Sequence, residues 1–369
     1  MSSTGAQKAK RAPFVIPSLD GIRTVSFAMV FLAHAGMPYI PGGFGVTVFF
    51  FLSGYLITTL LRREGEDNGG INFKLFYLRR VLRILPPFYA VLGLALVLTL
   101  LGVLPRVGSW APTTAQALHY ANYWVVWHGW DGLLGGTGVY WSLAVEEHFY
   151  LLFPALYALF IKLRVAPRTQ HAVLLGLCAL VLLWRCHLVF NLNIIGDRTY
   201  VASDTRFDSM LFGCALAVWG NPVVDLPASD KPKPWEWLAV VAGVALLLVT
   251  FLFRDPAFRE SARYSMQGIG LYPLFFVAVR YPKLLVTRFL NLKQVRFVGT
   301  LSYSLYLVHQ VMIYVVESKA GEGVWQAALA LALSFVLALG MYELIEKPCG
   351  KLRSRLSVSA RRPAAQPAQ

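Results

Sequence analysis

Apolar runs of the length that crosses a bilayer recur from residue 19 to residue 345, and little polar sequence separates them. Crossing about 30 Å of hydrocarbon takes about 20 helical residues, and lipid offers an open backbone no hydrogen-bond partner, so each run is expected to be a helix. Ten spans are predicted, at about 19–38, 43–61, 84–104, 140–161, 172–192, 204–220, 236–253, 264–279, 296–316 and 324–345, of which the sixth and eighth are short. Hydrophobic residues make up 57% of the 369 and charged residues only 14%, whereas soluble domains are about a quarter charged. The expected fold class is therefore all-α: a polytopic membrane protein of about ten transmembrane helices.

The charges orient those helices. Cytoplasmic loops are enriched in Lys and Arg. With both termini cytoplasmic, 25 of the 34 basic residues fall on the cytoplasmic side and six outside: Arg106, Arg198, Arg254, Arg259, Arg263 and Lys319. The remaining three, Arg23, Arg185 and Arg206, lie inside spans. Removing one span would scramble this split. The net charge of +15 thus reads as topology, and nucleic acid is excluded as a partner because no single basic stripe exists.

The expected organisation is a cytoplasmic arm at 1–16, a transmembrane domain at 17–346 and a basic, disordered cytoplasmic tail at 347–369. Lys8, Lys10 and Arg11 precede an apolar run in the manner of a signal peptide. Asp20, Arg23 and His34 interrupt that run and no clear cleavage site follows, so the segment is expected to stay attached. Cys178, Cys186, Cys214 and Cys349 show neither metal spacing nor a disulfide framework, and no metal is expected. The long external connection at 105–139 is rich in Trp, Tyr and Gly. It reads as an interfacial aromatic belt, with a sugar-stacking surface as the sharper alternative.

Ionisable groups inside spans mark candidate function, because their cost in lipid is borne only where protein or a cavity receives them. Eleven residues from Arg23 to His34 turn a helix by about 1100°, close to three full turns, and advance about 16 Å, so the two share a face. In FYLRRVLRILPPFYA, Arg80 and Arg83 share a face with Arg79 alongside. They read either as positive-inside anchors or as a phosphate clamp, since guanidinium forks grip phosphate oxygens.

In YWSLAVEEHFYLLFP, Glu146 lies about 9 Å below the external end of its span, a depth similar to that of His34, with Glu147 and His148 beside it. A carboxylate there would fix the tautomer of an imidazole acting as general base. SDTRFDSMLFG brings Asp204, Arg206 and Asp208 in from outside, either as a site or as a self-neutralising trio. GTLSYSLYLVHQ adds Ser302, Tyr303, Ser304, Tyr306 and His309, the last about 20 Å along its helix.

Taken in order, LDGIR with its Arg-x10-His spacing, FFFLSGYLI, FYLRRVLRILP, YWSLAVEEHFYLLFP, RFDSMLFG and LSYSLYLVH cover about residues 17–310. In this ordered set the chain resembles the acyltransferase-3 family, multi-spanning membrane enzymes that O-acylate surface polysaccharides, peptidoglycan, lipids and some antibiotics. The resemblance implies a cell-membrane acyltransferase with His34 as the catalytic residue, Arg23 as its paired arginine and Glu146 as the glutamate of the WSL-x-x-E element. It implies that Arg80 and Arg83 act through the acyl donor.

No permanently bound cofactor is implied; acyl-CoA, most simply acetyl-CoA, is the donor substrate, and the acceptor is a hydroxyl of an extracytoplasmic glycan or glycolipid. The pantetheine arm would follow the face shared by Arg23 and His34. His34 would deprotonate the acceptor or carry the acyl group, with Glu146 orienting it. Tyr306, Ser302 and Arg206 would stabilise the oxyanion or contact the acceptor, with Asp204, Asp208 and His309 as supporting residues. Some relatives carry a further extracytoplasmic hydrolase-like domain; none is expected here, so any such step would need a separate protein. The rival readings are a membrane N-acetyltransferase for an amino sugar, an acyltransferase for a macrolide-type small molecule and, in another class, a transporter or flippase.

Overall fold

The structure is a computed structural model that describes residues 16–105, 108–227 and 229–359. The rest of the expected N-terminal arm, Arg106 and the last ten residues of the expected tail lie outside the described residues. Every regular element among the described residues is helical: α1 (Pro17–His34), α2 (Gly42–Asn68), α3 (Phe73–Leu100), α4 (Ala111–Ala117), α5 (Ala121–His128) and α6 (Tyr140–Lys162). The chain continues with α7 (Pro167–Cys186), α8 (Asp197–Tyr200), α9 (Ser203–Val218), α10 (Pro234–Leu252) and α11 (Pro256–Glu260). It closes with α12 (Arg263–Arg280), α13 (Leu285–Leu290), α14 (Lys293–Ala320), α15 (Val324–Met341) and α16 (Lys347–Ser359). Single π turns, His187–Asn191 and Tyr342–Glu346, extend α7 and join α15 to α16.

Local chemistry sets the helix ends. Pro17, Pro167 and Pro234 occupy first-turn positions, where the missing N–H would be unsatisfied in any case. Gly69 closes α2 at φ +72°. Asn72 then caps α3, its side-chain oxygen accepting from the Leu75 N–H at 3.0 Å.

Six segments are long and apolar enough to cross a membrane: Gly42–Asn68, Phe73–Leu100, Tyr140–Lys162, Pro167–Asn191, Pro234–Leu252 and Val324–Leu356. The chain is a multi-pass membrane protein. The other four predicted spans coincide with α1, α9, α12 and α14, whose polar residues lower their apolar character. Exposed Leu180 and Leu183 on α7, Leu238, Val241 and Leu252 on α10 and Val336 on α15 form an apolar exterior suited to lipid.

Two boundaries differ from those expected. The α2 helix runs to Asn68 and α3 starts at Phe73, so a four-residue link replaces the long polar connection and Arg79, Arg80 and Arg83 sit inside α3. Ion pairs hold these charged ends helical: Arg62 to Glu66 at 2.9 Å within α2, and Arg79 of α3 to Glu64 of α2 at 2.6 Å. The tail is corrected as well. Residues 347–359 form α16, which lies against α3 rather than standing free.

The centre of the bundle is α9, fully enclosed by α2, α6, α7 and α12. Close approach is bought with glycine. A Cβ on Gly54 would stand 2.0 Å from the Met210 carbonyl oxygen, and one on Gly213 the same distance from that of Phe51. Such backbone contact lets dispersion and packing hold helices together where lipid removes the hydrophobic difference between inside and outside. On the other flank α14 packs against α1, α3 and α15. Gly299 of α14 accommodates the Asp20 carbonyl of α1, 1.9 Å from where a Cβ would be.

Candidate active site

Five helices, α1, α2, α3, α6 and α14, enclose a narrow polar channel of about 100 Å³. Arg23, Arg80, Arg83, Ser53, Glu146, Ser142, Ser302 and Tyr306 are among the residues that line it. Glu146 accepts from the Ser53 hydroxyl at 2.9 Å and from that of Tyr150 at 3.4 Å. Arg23 is paired with Asp20 at 2.9 Å. Arg80 lies over the rings of Phe76 and Tyr150, 5.8 and 5.1 Å from their centroids. Neither Arg80 nor Arg83 has an ion-pair partner among the described residues, whereas Arg79 turns away to Glu64. The channel therefore presents unpaired guanidinium charge to whatever enters it.

The hydroxyls of Ser142 and Tyr306 are 2.6 Å apart and both lie within reach of the Val139 carbonyl, at 3.0 and 3.3 Å. One helical turn further along α14, the His309 ring stands 5.6 Å from that of Tyr306 and is wholly buried. Its Nδ1 faces the Tyr306 carbonyl at 2.8 Å, and its Nε2 faces His34 Nδ1 at 3.0 Å. A carbonyl can only accept, so His309 Nδ1 carries a proton, and in the neutral ring Nε2 is then a bare acceptor. His34 Nδ1–H must donate to it, which leaves His34 Nε2 with a free lone pair. Phe27 and Phe31 wall in the buried ring at 5.8 and 6.3 Å, while His34 itself is exposed at the end of α1. The arrangement can present one imidazole nitrogen, in one tautomer, as a base or nucleophile.

The family described as "Acyltransferase domain" matches residues 16–343, nearly all of the helical body. The chain belongs to the acyltransferase-3 family. Among curated relatives, it is 29% identical over 359 residues to the peptidoglycan O-acetyltransferase OatA of Listeria monocytogenes, covering 91% of this chain and 56% of the relative. It is 30% identical over 353 residues to the O-acetyltransferase OatA of Staphylococcus aureus, covering 92% of this chain and 58% of the relative. The chain thus spans a little over half the length of these relatives. No solved structure matches it.

In this acyltransferase-3 chain the expected site residues divide. Arg23, Arg80, Arg83, Glu146, Ser302 and Tyr306 line the channel, and His34 and His309 meet beside it. The expected pairing of Glu146 with His34 is replaced: Glu146 is engaged by Ser53, and the partner of His34 is His309. The first comes from the packing of α6 against α2 and the second from that of α14 against α1, which helix periodicity within one segment does not specify.

The expected Asp204–Arg206–Asp208 trio does not neutralise itself. Asp204 is held by Arg198 and by the Trp184 indole at 2.7 Å. Asp208 is held by Arg185 at 2.6 Å and by the Ser265 hydroxyl at 2.6 Å. Arg206 donates to the Tyr200 carbonyl at 3.0 Å and to Thr47 at 3.1 Å, inside a cage of Phe50, Trp141, Tyr200 and Tyr264 rings. None of the three lines the channel. His148 likewise turns to Ser203, at 2.7 Å.

Sequence reasoning passed over Ser53 and Ser142 as site residues. Each is a single hydroxyl within an otherwise apolar stretch of a quoted motif, which was the available signal. No group of His, Cys, Asp and Glu among the described residues is placed to hold a metal ion.

Proposed function

We propose that this protein is a membrane O-acyltransferase that moves an acyl group, most simply acetyl, from cytoplasmic acyl-CoA to a hydroxyl of an extracytoplasmic glycan or glycolipid. Ten membrane-crossing helices with both termini cytoplasmic complete the reading: α1, α9, α12 and α14 cross within the protein, shielded from lipid by the six more apolar segments. The relatives named as O-acetyltransferases, one of them for peptidoglycan, favour acetyl transfer to a cell-wall sugar.

One observation carries the proposal: a single cavity is lined both by the unpaired arginines and by Tyr306, whose ring stands 5.6 Å from that of His309, the hydrogen-bonded partner of His34. Arg80 and Arg83 would bind the donor's phosphates, since fork-shaped guanidinium groups suit phosphate oxygens and stay charged. The arm bearing the thioester would pass Glu146 and Ser53. His34 Nε2 would then take the proton of the acceptor hydroxyl as its oxygen attacks the thioester, and return it to the coenzyme A sulfur as the C–S bond breaks; or it would attack the thioester itself, releasing coenzyme A, and pass the acyl group on to the hydroxyl. By turning from the Val139 carbonyl, the hydroxyls of Ser142 and Tyr306 would donate to an oxyanion.

The test is His34→Ala in cells holding equal amounts of folded protein, with surface acyl esters measured by mass spectrometry of released glycans. A loss of about 10²-fold or more is expected for removal of a general base. Undiminished esters would refute the assignment.

A further inference from the structure

Arg83 belongs to two cavities. On one side it lines the channel of about 100 Å³. On the other it lines a second cavity of about 380 Å³, bounded by α3, by Thr300 of α14, by Glu346 of the π turn and by Lys347, Lys351 and Arg353 of α16. That volume falls in the roughly 300–1,000 Å³ range of small-molecule sites, whereas the channel has room only for something slender.

The charge of the larger cavity is lopsided. Four cations, Arg83, Lys347, Lys351 and Arg353, surround it with one carboxylate, Glu346. That carboxylate already accepts from the Ser304 hydroxyl at 2.5 Å. Lys347 pairs with Glu343 at 2.7 Å, but Arg83 and Lys351 make no ion pair among the described residues. Like charges around a hollow repel one another, and an anion placed among them adds an attraction to each that offsets those repulsions. Phosphate oxygens are the acceptors that Arg and Lys groups together suit best.

We infer that the cavity between α3 and α16 seats a phosphate-bearing nucleotide, the 3′-phosphoadenosine diphosphate end of coenzyme A, with Lys347 and Lys351 of α16 as its cationic roof. The inference rests on the acyl-CoA donor proposed above and assigns the C-terminal helix a part in binding it. Arg83 stands at the junction, so the adenosine and its 3′-phosphate stay in the wide cavity, the diphosphate reaches Arg83 and then Arg80, and the arm with its thioester enters the narrow channel.

The experiment measures binding rather than turnover. Coenzyme A and 3′,5′-ADP are titrated calorimetrically into the full chain in phosphatidylcholine nanodiscs, and the same is done for Lys347→Ala/Lys351→Ala and Lys347→Arg/Lys351→Arg. Lys351 is exposed and Lys347, about half exposed, gives up only a surface ion pair with Glu343, so the melting temperature should fall by no more than a few degrees. The alanine pair should weaken both probes at least tenfold, and the arginine pair should hold them within about threefold of the unmodified chain, as charge retention requires.

Unchanged affinity for both probes in the alanine pair would overturn the site while leaving the donor reading intact. Failure of the unmodified chain to bind either probe would overturn the donor reading and this site with it. Unchanged coenzyme A affinity together with loss of co-purifying phosphatidylglycerol would overturn it too, making the cavity a lipid-headgroup site.

Discussion

At the scale of single residues, the pairing of an exposed imidazole with a buried one gives His34 its directionality. His309 is anchored by a backbone carbonyl at 2.8 Å, so its own tautomer is set by the helix it sits on, and it sets that of His34 in turn. Replacing His309 by alanine should slow transfer by about 10²-fold, within the span of a general base held in the wrong state. His309→Gln, whose side-chain oxygen accepts the same proton, should recover most of that loss. Nitrogen-15 shifts of His34 provide a readout independent of activity: Nδ1 protonated in the unmodified chain and in the glutamine variant, and a mixture in the alanine variant.

The Arg185–Asp208 pair belongs to stability instead. Both side chains are fully buried, so Arg185→Met would leave Asp208 charged and unpaired. Breaking one partner of a buried pair costs about 3–5 kcal/mol, which should appear as a large fall in thermal midpoint in detergent. Arg23, His34, Arg80, Arg83, Glu146, Tyr306 and His309 stood out in the sequence because each is polar where apolar residues surround it. Which of them would meet did not. Whether Glu146 meets His34 or Ser53 depends on the rotation and depth of α6 relative to α1 and α2, and no spacing within one helix encodes a relation between two.

At the scale of elements, the crossing of α2 and α9 is one of the tight backbone contacts that hold the site in place. Ser53 of the channel precedes Gly54, which fits against the Met210 carbonyl of α9. Gly54→Ala should cost about 1–3 kcal/mol as an overpacked contact, and should lower both the thermal midpoint and donor affinity. Gly340→Ala meets nothing within 4 Å in α15 and should instead stabilise by up to about 1 kcal/mol through helix propensity. A helix stands at each of the ten expected spans, but the helix ends and the helices outside those spans were not legible. Hydropathy stops where charges begin, and so it missed the last turns of α2, the first turns of α3 and all of α16. There Arg62–Glu66, Arg79–Glu64 and Glu343–Lys347 pairs carry the helix into water.

At the scale of the whole molecule, ordering, charge asymmetry and apolar length come from the chain itself. Orientation is testable with an impermeant maleimide on intact cells, after Cys186 and Cys349 are changed to serine; Cys178 and Cys214 are buried. Glu322→Cys, in the turn between α14 and α15, should label from outside. Asn68→Cys, at the end of α2, should label only after lysis. The reverse result would invert the proposed topology.

The sequence by itself determined that the chain is a bundle of apolar helices interrupted by ionisable groups, because hydrogen-bond satisfaction in lipid admits little else and because each interruption is costly enough to signal a purpose. Only the tertiary structure decided which interruptions meet. It set Asp204, Arg206 and Asp208 apart into separate packing contacts, drew Arg80 and Arg83 to the channel while sending Arg79 to Glu64, and joined His34 to His309 across 275 positions of sequence. Those outcomes follow from helix-to-helix distance and rotation, quantities set by the whole interface of each packed pair rather than by any residue within it.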